Sequence, residues 1–143
     1  MSSVEVVSYK KDVEKATEKA LTKAARMIGG SISGHAVEGC PVDTGLLKNS
    51  ITFAIGGQAP AITDYKSDTK DKNGSYTEGH YEGSAPADDD GEITVYVGTN
   101  VEYAPYQELG TKFIAARPFL RPAFENNQDE IKQIIEKCCK EIG

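Results

Sequence analysis

The stretch Pro41-Val42-Asp43-Thr44-Gly45-Leu46-Leu47-Lys48-Asn49-Ser50-Ile51-Thr52-Phe53-Ala54-Ile55-Gly56-Gly57 decides the fold class, because the chain changes its hydrophobic period inside it. Pro41 has no amide hydrogen to donate and stops whatever helix precedes it. Asp43 and Thr44 are good N-caps for one short helical turn. Ile51, Phe53 and Ile55 then alternate with Thr52 and Ala54, which reads as a half-buried strand ended by Gly56-Gly57.

Upstream, Val13, Thr17, Ala20, Ala24, Met27, Ile28 and Ser31 recur at three- and four-residue steps, with Lys11, Glu14, Lys15, Glu18, Lys19 and Lys23 between them. This spacing predicts an amphipathic helix that starts after Ser8 or Asp12 and runs to about Glu38. Gly30 and Gly34 lie one turn apart and are expected to let a neighbouring element approach closely, although each glycine costs about 1 kcal/mol against alanine.

Downstream, Glu92 to Gly98 reads as a second strand with Ile93, Val95 and Val97 on one face. Tyr103 to Thr111 reads as one helical turn closed by Gly110. A last helix is expected from about Pro122 to Ile142, with Phe124, Ile131, Ile134, Ile135, Cys138 and Ile142 as its buried stripe. The expectation is a single α+β domain over residues 1–143, with a long N-terminal helix and a C-terminal helix packed on a small antiparallel sheet.

Composition narrows the function. The chain has 143 residues, 38% hydrophobic and 27% charged, which is ordinary for one globular domain. No apolar run reaches the roughly 18 residues of a membrane span, and the start carries no signal-like apolar core. Three cysteines make no disulfide framework, so a reducing compartment is expected. Sixteen basic residues against 22 acidic ones leave −6, which argues against a broad nucleic-acid-binding face. The deficit sits in residues 57–91, an insert with eight acids and three lysines that carries −5. That insert is expected to be largely flexible loop, with a short hairpin anchored by Tyr65, Tyr76 and Tyr81 and turning at Asn73-Gly74.

Candidate chemistry is sparse. His35 and Cys40 could pair as base and nucleophile, but no third group or oxyanion turn accompanies them, and a cysteine before proline reads as a small buried residue. Cys138 and Cys139 point about 100° apart on a helix and suit no common metal geometry. Thr69 to His80 resembles a calcium loop only at Gly74, since its first and twelfth positions lack the required acids. Asp88-Asp89-Asp90 with Glu92 reads as solvated. No catalytic residue, metal or cofactor is expected.

Two stretches are distinctive: Cys40 to Ile51, and Val97 to Thr111 continued by Ala116-Arg117-Pro118-Phe119-Leu120-Arg121-Pro122-Ala123-Phe124. Together they resemble the "putative tail-component" family of tailed bacteriophages and prophages, the tail-completion or head–tail joining proteins of the neck. The resemblance rests on Asp43, Thr44, Gly45, Leu47 and Ser50 in the first stretch. In the second it rests on Tyr103, Tyr106, Glu108, Gly110, Thr111, Arg117, Pro118, Phe119 and Arg121. It implies a non-enzymatic virion protein, assembled in the host cytoplasm as a ring, commonly hexameric. Such a ring sits between the neck or head-closure protein and the tail-tube or terminator protein, and DNA passes through it without sequence-specific binding. Ring closure needs a heterologous interface, for which Tyr103, Tyr106, Leu109 and Phe113, with Glu108 and Arg117 nearby, are candidate anchors. The same aromatics could instead close the sheet of their own subunit, and Glu108 with Arg117 could be an internal pair. The acidic insert could contact a partner, line the lumen or be a plain surface loop. A small enzyme using Cys40, His35 or His80, or a regulatory module such as an antitoxin, is the reading of a different class.

Overall fold

The computed structural model describes residues 3–10, 18–42, 45–89 and 92–140. Its first element is a strand, β1 (Ser3–Lys10), followed by α1 (Glu18–Gly39), α2 (Leu46–Ser50) and β2 (Thr52–Ile55). A hairpin comes next, β3 (Asp64–Lys70) and β4 (Tyr76–His80), then β5 (Glu92–Thr99), α3 (Ala104–Leu109), α4 (Leu120–Glu125) and α5 (Gln128–Lys140). The α+β architecture, with a long helix near the N-terminus and helices at the C-terminal end on small antiparallel sheets, is the one the periodicities imply.

β5 is the centre of a three-stranded sheet ordered β1-β5-β2, antiparallel on both sides. Val6 pairs with Tyr96 in one direction and Ala54 with Tyr96 in the other. β1 corrects the expected helix start at Ser8, since Ser8 lies in that strand opposite Thr94. Val4, Val6, Val7 and Tyr9 are β-branched or aromatic and suit a strand, and Ser8 is one of its residues rather than a helix cap. The alternative start at Asp12, and the stripe positions Val13 and Thr17, lie outside the described residues.

α1 crosses β5 and β2, and its Ala25, Ile28, Ile32 and Ala36 meet Ile55, Val95 and Val97 in the core. These four sit at steps of three and four, one face of a helix. The close approach is made at Gly29, where an added methyl would overlap the ring of Phe53. It is not made at Gly30 or Gly34, which have open space beside them. The expected pair is one residue out of phase with the face that touches the sheet. β2 is also more covered than a half-buried strand, since Thr52, Ala54 and Ile55 are all buried.

The last helix is two helices. α4 begins at Leu120, two residues ahead of Pro122, and a turn at Asn126-Asn127 separates it from α5. Asn127 donates from its side-chain amide to the Ala123 carbonyl at 2.8 Å, and its own carbonyl accepts from Ile131 at 3.2 Å. Asparagine competes with the helix backbone in this way and favours breaks and caps. Ile131 and Cys138 are buried and Phe124, Ile134 and Ile135 pack against the core as expected, while Ile142 lies outside the described residues.

The insert is more than loop. Its hairpin packs on α2, and Asp71 closes the turn by accepting from the amides of Asn73 at 2.9 Å and Ser75 at 3.0 Å. Gly74 takes φ 76°, a left-handed conformation that glycine adopts without cost. Both legs are tied to the sheet: the Ala61 amide donates to Phe53 at 2.8 Å, and the Thr94 amide donates to Asp88 Oδ1 at 3.0 Å. Tyr65 and Tyr81 pack against each other as anchors, ring centroids 5.5 Å apart and planes inclined by 50°, whereas Tyr76 is exposed beneath Lys66 and Lys70.

Candidate interaction surface

α3 and the segment after it carry the apolar residues that the core leaves out. Tyr106 is 57% exposed, Leu109 68%, Phe113 90% and Ile114 50%, with Tyr103 beside them at 38%. Isolated exposed apolar residues are ordinary, but here several come from one short segment, which makes it a candidate docking surface. The aromatics therefore do not close their own sheet.

The backbone beneath this surface is fixed. Tyr103 precedes Pro105 in the first turn of α3, where proline's missing amide is harmless. Gly110 ends α3 with φ 76°, and a methyl there would come 2.7 Å from the Ala116 amide nitrogen, so only glycine lets the segment fold back. Thr111 then shapes a tight turn, its hydroxyl oxygen accepting from Phe113 at 3.1 Å and Ile114 at 3.0 Å, and its amide donating to the Ile114 carbonyl at 2.8 Å. Phe113 stands at the tip. The Arg117 amide returns to the Gln107 carbonyl at 2.7 Å.

Glu108 has a different job from the ionic anchor expected of it. Its carboxylate accepts from the amides of Phe119 at 2.7 Å, Leu120 at 3.1 Å and Arg121 at 2.8 Å, the unsatisfied donors at the start of α4. A negative charge there also interacts favourably with the positive end of the helix dipole. It forms no ion pair with Arg117 among the described residues. Lys112, Arg117 and Arg121 instead stand exposed around the Phe113 turn.

The residues singled out from the sequence thus fall into two groups. Tyr103, Tyr106, Arg117, Pro118 and Arg121 are exposed, together with Leu109 and Phe113. Leu47, Ser50 and Phe119 are buried and serve the fold, as do the backbone roles of Gly45, Glu108, Gly110 and Thr111. Gly45 starts α2 at φ 84°, and a methyl there would overlap the carboxylate of Asp68. Asp68 accepts from Asn49 at 2.9 Å and pairs with Lys48 at 3.2 Å, contacts that hold its carboxyl below the usual range. Asp43 and Thr44 lie outside the described residues. Val42 and Ile114 were missed, because single apolar residues in a turn have no periodic signature.

Ser50 opens a buried polar chain. Its hydroxyl donates to the Leu47 carbonyl and meets the Thr99 hydroxyl, both at 2.6 Å. Tyr81 donates to the Ser50 carbonyl and accepts from the Asn100 amide at 3.2 Å, and Tyr65 donates to the Asn100 side chain. No buried side-chain polar atom is left unpaired among the described residues. The chain fastens the hairpin to the end of β5 and to α2.

The positions with chemical potential do not converge. Cys40 is buried with its sulfur 3.4 Å from the Pro41 carbonyl, and burial pushes its thiol up to about 11, the wrong direction for a nucleophile. His35 faces Glu130 at 2.8 Å instead, and His80 faces Asp64 at 2.6 Å. Cys138 contacts Met27 at 3.8 Å. Among the described residues no group of three His, Cys, Asp or Glu side chains is placed to hold a metal, and no helix is long and apolar enough to cross a membrane.

A comparison with protein families matches residues 5–110 to the family described as "Bacteriophage HK97-gp10, putative tail-component". The chain belongs to this HK97-gp10-like family. The match includes the acidic insert and ends at Gly110, so the HK97-gp10-like region takes in the sheet, α1, α2, the hairpin and α3. The Arg117-to-Phe124 stretch follows it. No curated protein and no solved structure matches the chain significantly.

Proposed function

We propose that this phage structural protein is a neck subunit that joins the head side of the particle to the tail tube, assembled as a ring around the DNA channel. The observation that carries the reading is the exposed surface of Tyr106, Leu109, Phe113 and Ile114 on a fixed backbone, in a chain of the tail-component family. A monomer has no use for such a surface, and a ring subunit needs one that docks onto a different face of the next copy. A hexamer is the stoichiometry proposed, with a head-closure protein on one side and a tail-tube or terminator protein on the other. Tail terminator and head-closure subunit are the neighbouring stations to which the same surface is suited.

The net charge of −6 suits a channel protein that lets DNA pass without holding it. A structural rather than catalytic role is supported by the raised thiol of Cys40 and by the separate partners of His35 and His80. The test is mass in solution by light scattering, with the protein alone and mixed with the neck and tail-tube proteins of the same phage. A discrete hexamer-sized species, alone or templated, is expected. A strict monomer that ignores every such partner overturns the reading.

A further inference from the structure

The hairpin of the acidic insert carries a chemistry that the fold does not use. Asn73 and Gly74 stand at its tip, both exposed to solvent. In an Asn-Gly pair the glycine amide nitrogen can reach the asparagine Cγ, because the glycine has no side chain to stand in the way. Beyond its chain neighbours, no atom lies within 4 Å of where a Cβ on Gly74 would be, so the approach is open.

The chain has five asparagines, and the structure sets this one apart. The side-chain amides of Asn49, Asn100 and Asn127 are held by donation to the Lys66, His80 and Ala123 carbonyls at 2.8, 2.9 and 2.8 Å. Asn73 and Asn126 make no side-chain hydrogen bond among the described residues. Asn126 is followed by the bulkier Asn127, and only Asn73 by glycine.

Asp71 works against the reaction. The Gly74 amide has to lose its proton before its nitrogen can attack, and it donates that proton to the Asp71 carbonyl at 3.0 Å. The Asp71 carboxylate holds the turn in this form by accepting from the Asn73 and Ser75 amides at 2.9 and 3.0 Å. Attack therefore waits until the tip opens locally, which costs far less at an exposed turn than in the core.

We infer that Asn73 is a site of spontaneous deamidation and that the Asp71-capped turn sets its rate. Solvent base takes the Gly74 amide proton, and the nitrogen forms a bond to Asn73 Cγ. The side-chain nitrogen takes a proton from water and leaves as ammonia. Water then opens the cyclic imide at either carbonyl, giving aspartate or isoaspartate, with nothing oxidised or reduced. Either product adds a negative charge to an insert that already carries −5. Isoaspartate also lengthens the main chain inside the turn and disturbs the spacing by which both amides meet Asp71. The hairpin tip thus loosens as the protein ages.

The test incubates the full-length protein at mildly alkaline pH, folded and in denaturing guanidinium, and follows each asparagine by peptide mapping with isoaspartate labelling. Asn73 is expected to convert first in both, about five- to tenfold more slowly in the folded protein than in the unfolded chain. Asp71→Ala, checked for folding by circular dichroism, should bring the folded rate close to the unfolded one. Asp71→Asn keeps an accepting oxygen and should stay near the wild type. If Asp71→Ala does not fold, the wild-type comparison and Asp71→Asn still decide. No conversion at Asn73, or another asparagine converting ahead of it in the folded protein, overturns the site. Equal folded and unfolded wild-type rates, an Asp71→Ala rate no faster than wild type, or an Asp71→Asn rate as fast as the unfolded chain overturns control by the turn.

Discussion

The carboxylate of Glu108 sits 2.7 Å from the amide nitrogen of Phe119, at the centre of three amides that begin α4. One side chain on α3 thereby holds the two ends of the exposed turn together. Glu108→Ala should cost about 1–3 kcal/mol, since it removes charge-assisted hydrogen bonds and leaves helix-start donors bare. Glu108→Gln should recover part of the loss. Urea unfolding of the two variants checks this, and equal loss in both would mean that the cap is not what Glu108 supplies.

The neighbouring glycines of α1 should respond in opposite directions. Gly29→Ala pushes a methyl into the Phe53 ring and should destabilise by about 1–3 kcal/mol. Gly30→Ala meets nothing within 4 Å and should stabilise by roughly 0.5–1 kcal/mol through better helix propensity. A pair of thermal melts separates them, and a shift of the same sign in both contradicts the packing described.

Tyr81→Phe keeps the tilted ring contact with Tyr65 and removes only the hydroxyl between the Ser50 carbonyl and the Asn100 amide. Loss of about 1–3 kcal/mol is expected, because the groups left behind are largely shut away from water. Amide exchange should quicken first at Asn100 and across the hairpin. Unchanged exchange there would show that the hairpin is fastened by other contacts.

Acid should loosen the junction of α1 and α5. Glu130 accepts from the Ser31 hydroxyl at 2.6 Å and faces His35 at 2.8 Å, and these bonds, the Ser31 one foremost, lower its carboxyl from 4.5. A lowered folded-state value means that the contribution is complete above the unfolded value and fades as pH falls through the folded one. The effect is small because the side chain is half exposed. Glu130→Gln should flatten the stability–pH curve below about pH 4.5, the ordinary carboxyl value. A curve parallel to that of the wild type would place the acid sensitivity elsewhere.

What the sequence disclosed followed from periodicity. Ile93, Val95 and Val97 alternate because one face of β5 meets α1, and the Gly110 stop after α3 is visible because a left-handed residue there has to be glycine. β1 escaped notice because its partner lies some 90 residues away and no local turn announces the pairing. The break at Asn126-Asn127 escaped because the apolar stripe runs on through it. At the surface, Tyr106 and Phe113 could be named from composition, but their exposure is a property of packing and not of spacing. Sequence spacing leaves Arg117 open as a partner for Glu108, because sequence shows charges and hides the backbone donors of Phe119 to Arg121 that the carboxylate meets.

The position of β5 in the sheet also sets an order of events. Its two neighbours, β1 and β2, both precede it in the chain, and neither pairs with the other. A ribosome that has released only the first half of the protein has therefore exposed two strands with nothing between them. The sheet closes when residues 92–99 emerge, and until then α1 has no β5 surface to cover. Such late, long-range closure slows folding and leaves strand edges open in the meantime. Subunits become competent to join a particle only after that last central strand arrives, so the timing of assembly is written into the strand order.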